Sequence, residues 1–284
     1  MKRREFIRLA AAGMLGLGIA PARAAAQLAK AVPTSHSYVP DDHIKDYLYK
    51  MRSFDAYHEG DIILSRQQRR VLRSSVKRLK RLHDTVGYGN FHLISFDTAL
   101  KTARNYTRIG AFTAAERKFI ETIFYKNAHT YGFNGDKPIN DINDSINRRN
   151  VQKIPRTGHY LYRGIPQETY RKIRKELGKQ VILTSGVRGI TKQLYLFLNK
   201  ACKHNGNLSV ASRSLAPPGY SFHGVGDFDV GQIGYGAENF TERFVSTEVF
   251  RKLNDCGYLK LRYPLNNLLG VRFEPWHIKV GAQA

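Results

Sequence analysis

A histidine and two aspartates stand close together in a glycine-rich stretch around His223. Asp227 and Asp229 follow it, and on a β-strand their side chains would point to the same side. Imidazole nitrogen and carboxylate oxygen are both common zinc ligands, and a catalytic zinc has three protein ligands and one open position. These residue types therefore indicate a metal site that needs one more protein ligand.

His277 can supply that ligand from a distant part of the chain. Glu274 precedes it by three positions, with Pro275 and Trp276 between them. A carboxylate so close to a ligand can lie beside the metal without binding it and take a proton from the water that the metal activates. Spacing alone does not establish this, because a histidine in a glycine-rich loop is more often a hydrogen-bonded surface residue than a ligand.

Three ordered blocks resemble the zinc D-alanyl-D-alanine carboxypeptidase family, which includes the vancomycin-resistance carboxypeptidases. Residues 218–226 are similar to the family's Pro-Gly-x-Ser-x-His-x-x-Gly stretch. Residues 262–264 (Arg-Tyr-Pro) and 274–277 (Glu-Pro-Trp-His) resemble its closing block. Residues 185–188 (Ser-Gly-Val-Arg), with Gln193 soon after, resemble its Ser-Gly-Tyr-Arg-Ser block. The first half of the chain shows no such resemblance.

The resemblance implies a role for each matching residue. It makes His223 and His277 zinc ligands, and it makes Glu274 the general base. It also implies three substrate-binding residues: Arg188, Gln193 and Ser221. The arginine suits the terminal carboxylate of a substrate because its guanidinium is planar and can donate two parallel hydrogen bonds.

One position departs from the family pattern. The ligand aspartate usually follows the histidine by seven positions, where this chain has Val230. We choose Asp229 as the third zinc ligand because an aliphatic residue follows it, as in the family, although this choice requires one residue fewer in the turn. Asp227 stays the alternative, either as the ligand or as a carboxylate that orients a histidine. The Tyr and Ser that usually flank Arg188 are also replaced.

Helices are predicted in the region before these blocks. Ser65 with Gln68, and Thr113 with Glu116, have the spacing of a capping box, in which each side chain accepts a bond from the other residue's backbone N–H. Apolar residues recur at helical spacing behind both starts, and the first helix carries many Arg and Lys on its opposite face. We therefore expect a mainly helical region over residues 41–150.

The blocks themselves lie among shorter elements. Strands are predicted at residues 180–184, 258–263 and 270–274, and helices at residues 191–203 and 245–255. Mixed short strands and helices are typical of an α+β domain. We expect a small antiparallel sheet with packed helices, which forms a zinc peptidase domain over residues 151–284.

The first residues have the pattern of an export signal. A basic start with Arg3 and Arg4 is followed by a short apolar run and by residues 22–24 (Ala-Arg-Ala), a small-x-small cleavage site. The arginine pair resembles the twin-arginine motif. We expect residues 1–24 to be a cleaved twin-arginine signal and residues 25–40 a linker. The mature protein would then be periplasmic or otherwise extracytoplasmic.

The chain is strongly basic, with 46 Lys and Arg against 23 Asp and Glu in 284 residues. Its formal net charge is +23, and residues 1–24 contain five of the cations and one acid, so the remainder carries +19. Such a field attracts anionic partners. Because export takes the protein away from nucleic acid, the expected partners are peptidoglycan or its stem peptides, with peripheral contact to an anionic wall or membrane surface.

These features together predict a zinc metallopeptidase that hydrolyses peptidoglycan stem peptides and releases a C-terminal D-amino acid. The alternative is a non-catalytic wall-binding module on the same fold, and a nucleic-acid-binding protein is a third hypothesis that charge alone suggests. The bond that is cut stays open among D,D-carboxypeptidase, L,D-carboxypeptidase, dipeptidase and endopeptidase activities. The sequence also leaves open whether Cys202 and Cys256 are bridged, since this depends on their distance.

Overall fold

The computed structural model describes residues 44–280, where helices and short strands are mixed along the chain. The helices are α1 (Ile44–Arg52), α2 (Arg66–Val86), α3 (Tyr88–Phe91), α4 (Phe96–Asn105), α5 (Ala114–Tyr125), α6 (Ile165–Leu177), α7 (Ile190–Lys203), α8 (Leu208–Ser214) and α9 (Glu248–Asp255). The strands are β1 (Val151–Lys153), β2 (Tyr160–Tyr162), β3 (Val181–Ser185), β4 (Phe228–Gln232) and β5 (His277–Ile278). The predicted α+β class is confirmed, with small antiparallel sheets after a mainly helical region.

Some predictions fall outside this range. The export signal at residues 1–24 and the linker at residues 25–40 lie outside the described residues. Among residues 44–280, no helix combines the length and the apolar character that a membrane span requires. Cys202 and Cys256 are both free thiols.

Both predicted capping boxes are present. At the start of α2, the Gln68 N–H donates to Ser65 Oγ at 3.3 Å, and the Ser65 N–H donates to Gln68 Oε1 at 3.0 Å. The same reciprocal pair joins Thr113 and Glu116 at the start of α5. Each pair satisfies two backbone N–H groups, one of which the first turn of a helix would otherwise leave without a partner. Both helices therefore begin where their local sequence predicts.

One apolar core joins the N-terminal helices to α7. Leu72, Leu79 and Leu82 of α2 are buried in the same cluster as Leu194 and Phe197 of α7. Burial of each such side chain stabilises the fold by roughly 1.5–3 kcal/mol. The helical region thus supplies the wall against which α7 is fixed.

The three-stranded sheet sets the register of the predicted site. Its strand order is β3-β4-β5, and both pairings are antiparallel. Asp229 lies opposite Ser185 on one side and opposite His277 on the other. Cβ atoms directly across an antiparallel pair are about 4.5–5.5 Å apart. Strand register therefore brings Asp229 next to His277.

The strands predicted at residues 258–263 and 270–274 are wrong. Leu261 forms only an isolated bridge to β5, and the rest of this stretch is turns and irregular backbone. Gly270 has φ +78, which bends the chain out of the extended conformation. The Asn267 side-chain amide donates to the Pro264 carbonyl at 2.8 Å and to the Val271 carbonyl at 3.0 Å. These carbonyl groups would accept from a neighbouring strand if the segment were part of a sheet. Burial does not alternate along these stretches, since Val271 and Glu274 are buried and the two residues between them are half-buried, so the alternating polarity does not mark a strand.

Gly186 lies where the chain leaves β3 and approaches β2. The next N–H, of Val187, donates to the Tyr160 carbonyl at 2.8 Å, and a Cβ on Gly186 would collide with that same carbonyl oxygen. The Gly186 carbonyl lies 2.9 Å from His223 Nδ1. This close approach admits only glycine, and it joins β2 to one of the predicted zinc ligands.

We expect Gly186→Ala to lower the free energy of unfolding by at least about 3 kcal/mol, because the added carbon would overpack against backbone. Gly234→Ala is the control, since Gly234 has φ +78 but open space around its Cβ position. That variant should lose only about 1–2 kcal/mol from backbone strain. Urea unfolding of both variants checks this, and equal losses would contradict the packing argument.

Candidate metal centre

Three buried side chains converge beside the central strand. His223, Asp229 and His277 each offer one ligand atom, and these atoms all lie within 4.8 Å of one another. His223 comes from a short 3-10 turn (Phe222–Gly224), while the other two residues lie opposite each other on β4 and β5. All three are at most 2% exposed. Within residues 44–280 this is the group that could hold a metal ion.

Hydrogen bonds fix which nitrogen of each histidine faces the group. Nδ1 of His223 lies 2.9 Å from the Gly186 carbonyl oxygen, so its Nε2 points inward, 3.2 Å from Asp229 Oδ1. Nε2 of His277 lies 2.9 Å from Asp227 Oδ2, so its Nδ1 points inward, 3.4 Å from Asp229 Oδ1. A carbonyl or carboxylate behind each ring is the arrangement that orients metal-binding imidazoles.

The inward-facing atoms fit a zinc ion. Nε2 of His223 and Oδ1 of Asp229 are buried and form no hydrogen bond, although they lie 3.2 Å apart. Buried polar atoms in proteins nearly always have partners. Two imidazole nitrogens and one carboxylate oxygen are a donor set of catalytic zinc, which leaves the fourth position open.

Charges around the group favour a bound cation. Burial, and then the charge of Arg188, lower the pKa of His223 and keep its ring neutral. Burial would raise the pKa of Asp229, but nearby cationic groups, Arg188 among them, outweigh it and hold the pKa below its usual range. Burial would also lower the pKa of His277, yet hydrogen bonds to Asp227 and Glu274 raise it to about 9. A metal ion would replace that proton, since a ligand imidazole must be neutral.

Glu274 lies beside the group without being part of it. Its side chain is 10% exposed, and Oε2 is 3.4 Å from the inward-facing Nδ1 of His277. The Glu274 N–H donates to the Tyr263 carbonyl at 3.1 Å, which holds this turn against the core. Glu274 therefore has a carboxylate near the metal position and on the wall of a cleft.

The cleft collects most of the predicted site residues. Its empty volume is about 390 Å³, including space open to solvent. The predicted residues on its wall are Arg188, Gln193, Ser221, His223, Glu274 and His277. The remaining wall is mainly apolar: Leu196, Phe197, Leu215, Ala216 and Tyr263. Asp229 lies behind this surface, where it contacts both histidines and Arg188.

Arg188 and Gln193 have partners within the protein. A terminal nitrogen of Arg188 donates to Asp229 Oδ2 at 2.6 Å, and its Nε donates to Ser185 Oγ at 2.8 Å. The Gln193 amide donates to the Arg188 carbonyl at 2.7 Å and accepts from the Gly219 N–H at 2.9 Å. Gln193 therefore holds two segments of the cleft wall together, and its amide is committed to backbone partners.

Two features of this region were not predicted. Arg262 forms an ion pair with Asp227 at 2.8 Å. In the sequence, this arginine is only one residue of the Arg-Tyr-Pro stretch that resembles the family, and nothing there indicates its partner. Behind Arg188, His92 and His159 are buried with three ring nitrogens that have no hydrogen-bond partner. Burial lowers their pKa to about 2 and about 4, so both rings are neutral. No spacing pattern in the sequence marks this pair.

The stretch that carries this geometry matches a known family. Residues 167–282 match the model of the D-alanyl-D-alanine carboxypeptidase family VanY. The predicted resemblance is confirmed. This match supports a peptidase of the carboxypeptidase type, while α1 to α5 lie outside it. No curated protein sequence matches the chain significantly.

Three solved structures show a partial likeness to this chain. The LdcB LD-carboxypeptidase, described for its peptidoglycan recognition, is 24% identical with TM-score 0.38, and the match covers 46% of this chain and 63% of that one. A variant of the vancomycin-resistance D,D-pentapeptidase VanY with Zn(II) is 22% identical with TM-score 0.39, covering 52% and 86%. VanYB in complex with D-alanine-D-alanine is 23% identical with TM-score 0.37, covering 45% and 74%.

We expect about one zinc ion per chain in protein folded with zinc, and loss of that ion in His223→Ala, Asp229→Ala and His277→Ala, because each removes one of three ligands. Metal analysis of the purified proteins measures this. His129→Ala is the control, since His129 is exposed and bonded to Asn134. Full zinc content in the three variants, with their fold intact by circular dichroism, would exclude this centre.

Proposed function

We propose that the protein is a zinc-dependent peptidase that hydrolyses peptidoglycan stem peptides and releases a C-terminal D-amino acid. The observation that carries the proposal is the convergence of three metal-ligand atoms with a separate carboxylate, Glu274, on the wall of one cleft. The family match over residues 167–282 supports the carboxypeptidase class. The bond that is cut stays open among the D,D-, L,D-, dipeptidase and endopeptidase alternatives.

The proposed mechanism assigns a task to each side chain. Nε2 of His223, Oδ1 of Asp229 and Nδ1 of His277 would hold the zinc ion. When bound, zinc supplies Lewis acidity, which acidifies a water molecule and polarises the scissile carbonyl. Glu274 takes the proton of the attacking water and transfers it to the leaving amine, the work of a general acid–base residue.

Arg188 is proposed to bind the terminal carboxylate of the substrate. Its contacts with Ser185 and Asp229 use Nε and one terminal nitrogen. The other terminal nitrogen is then available for a charge-assisted hydrogen bond to that carboxylate. Ser221 also lines the cleft, and the apolar side chains of its wall suit a small apolar residue at the end of the substrate.

Glu274→Ala should lower turnover by about 10²–10⁴-fold, the usual contribution of a general acid–base residue, while bound zinc stays at the wild-type level. Release of D-alanine from a synthetic stem peptide, followed by mass spectrometry, measures turnover. Glu248→Ala is the control, since Glu248 is exposed on α9 and pairs with Lys252. Full activity in Glu274→Ala would remove this mechanism.

The same assay tests the alternative function. A zinc-loaded wild-type protein that binds stem peptide or sacculi without hydrolysing either would be a non-catalytic wall-binding module. This alternative is worth testing because the turn between His223 and Asp229 is one residue shorter than the family pattern.

We further propose an extracytoplasmic location, reached through the twin-arginine signal at residues 1–24, and contact with an anionic wall surface through α2. This helix has 21 residues and is therefore about 30 Å long. Its exposed cations form a row along the outer face: Arg66, Arg70, Arg73, Lys77 and Arg81. A rigid row of positive charge suits a polyanionic surface.

Reversing three of these charges (Arg70→Glu, Arg73→Glu and Lys77→Glu together) should weaken binding to isolated sacculi by roughly 100-fold or more at low salt. This follows from about 1 kcal/mol for each cation near an anionic surface. Co-sedimentation measures the binding. The control reverses Arg171, Lys172 and Lys175, which are exposed on α6 and give the same net charge. Equal weakening in both triple variants would show that net charge, and not α2, determines the contact.

A further inference from the structure

Arg262 is the side chain that connects the two candidate zinc-binding histidines. Its guanidinium carbon lies 3.5 Å from the centre of the Phe222 ring, and Phe222 directly precedes His223. Its Nε and one terminal nitrogen donate to the two oxygens of Asp227 at 2.8 and 3.2 Å. Asp227 in turn lies 2.9 Å from His277 Nε2. One guanidinium thus contacts the neighbour of one ligand and the hydrogen-bond partner of the other.

Asp227 has no oxygen left for a metal ion. Its side chain is 1% exposed, and Oδ1 accepts bonds from Arg262 and from the Val280 N–H at 2.9 Å. Oδ2 lies within 2.9 Å of Arg262 Nε and His277 Nε2. A carboxylate held on four sides fixes the plane of the imidazole that it contacts. Because Asp227 occupies Nε2 of His277, only Nδ1 of that ring is left to bind a metal ion.

The chemistry of these contacts requires arginine. Stacking on the Phe222 ring and paired donation to Asp227 both use the flat guanidinium, and an ammonium group cannot make the two contacts together. Without the arginine, Asp227 would remain buried with His277 as its main cationic partner. Asp227 would also lose two of the four contacts that fix its plane, and the orientation of the His277 ring would be less constrained.

We propose that Arg262 is a positioning residue that orients both zinc-binding histidines, His223 through Phe222 and His277 through Asp227, and thereby raises zinc affinity. The inference rests on the proposed zinc site. It assigns Arg262 no contact with the substrate.

The chain contains a matched arginine remote from the site. Arg78 on α2 pairs with Glu116 on α5 with the same Nε–oxygen distance of 2.8 Å. The side chains of that pair are 14% and 2% exposed, against 14% and 1% for Arg262 and Asp227. Arg78 also lies over an aromatic ring, that of Phe112. The same substitution at Arg78 therefore reproduces the structural loss without touching the histidines.

The test compares Arg262→Lys with Arg78→Lys in the full chain. Zinc affinity is measured by competition with a chromophoric chelator, and cobalt(II) absorption reports the ligand geometry. We expect Arg262→Lys to bind zinc about 10–100-fold more weakly, the usual effect of removing an outer partner of a ligand, with an altered cobalt spectrum. Arg78→Lys should keep the wild-type affinity and spectrum, although both variants lose thermal stability.

An Arg262→Lys protein with wild-type zinc affinity and cobalt spectrum would overturn the proposal, as would an equal loss of affinity in Arg78→Lys. If Arg262→Lys does not fold, Phe222→Leu decides, because it removes the stacked ring and keeps the ion pair with Asp227. Weaker zinc binding in that variant supports the proposal, and unchanged binding overturns it. Since zinc affinity is measured without substrate, a wild-type protein that binds zinc but cleaves no stem peptide would refute the proposed function alone.

Discussion

A buried negative charge, that of Asp229, is the constraint around which the site is arranged. Its side chain is 2% exposed, and a carboxylate so far from water is stable only when cationic or hydrogen-bonding partners surround it. Arg188 provides an ion pair at 2.6 Å, and the imidazoles of His223 and His277 lie 3.2 and 3.4 Å from the other oxygen. Each partner comes from a different segment: the chain after β3, the 3-10 turn and β5. The central position of β4 in the sheet allows all three segments to reach one carboxylate.

The chain as a whole is basic, but the groups around His277 are acidic. The chain carries twice as many basic as acidic residues, yet Asp227, Asp229 and Glu274 all lie within 3.4 Å of the His277 ring nitrogens. Their effect is visible in the raised pKa of that histidine. A basic exterior attracts anionic molecules, while a cluster of buried carboxylates favours a bound cation. Both properties suit the proposed reaction, in which an anionic peptide would meet a zinc ion.

Signals that are local in the sequence predicted local structure well. The capping residues Ser65 and Thr113 mark the helix starts, and the strand and helix predicted at residues 180–184 and 191–203 appear as β3 and α7, each shifted by at most one residue. Features that depend on pairing between distant segments were not accessible. Strand register places His277 opposite Asp229, and Arg262 reaches Asp227 from an irregular segment far along the chain. The amide of Gln193 is committed to backbone groups that no motif reveals. Alternating polarity after residue 257 did not mark strands, because burial does not alternate there and turns interrupt the chain.

Phe197 belongs to two environments at once. Its ring is part of the core that α7 shares with α2, and it also lines the cleft beside the candidate metal centre. Protein interiors are packed closely enough that a change of one methylene is felt by neighbouring side chains. Substitutions in the N-terminal helices can therefore alter the shape of the cleft without changing any residue on its wall. The shape of the cleft therefore also depends on helices that the family match does not include.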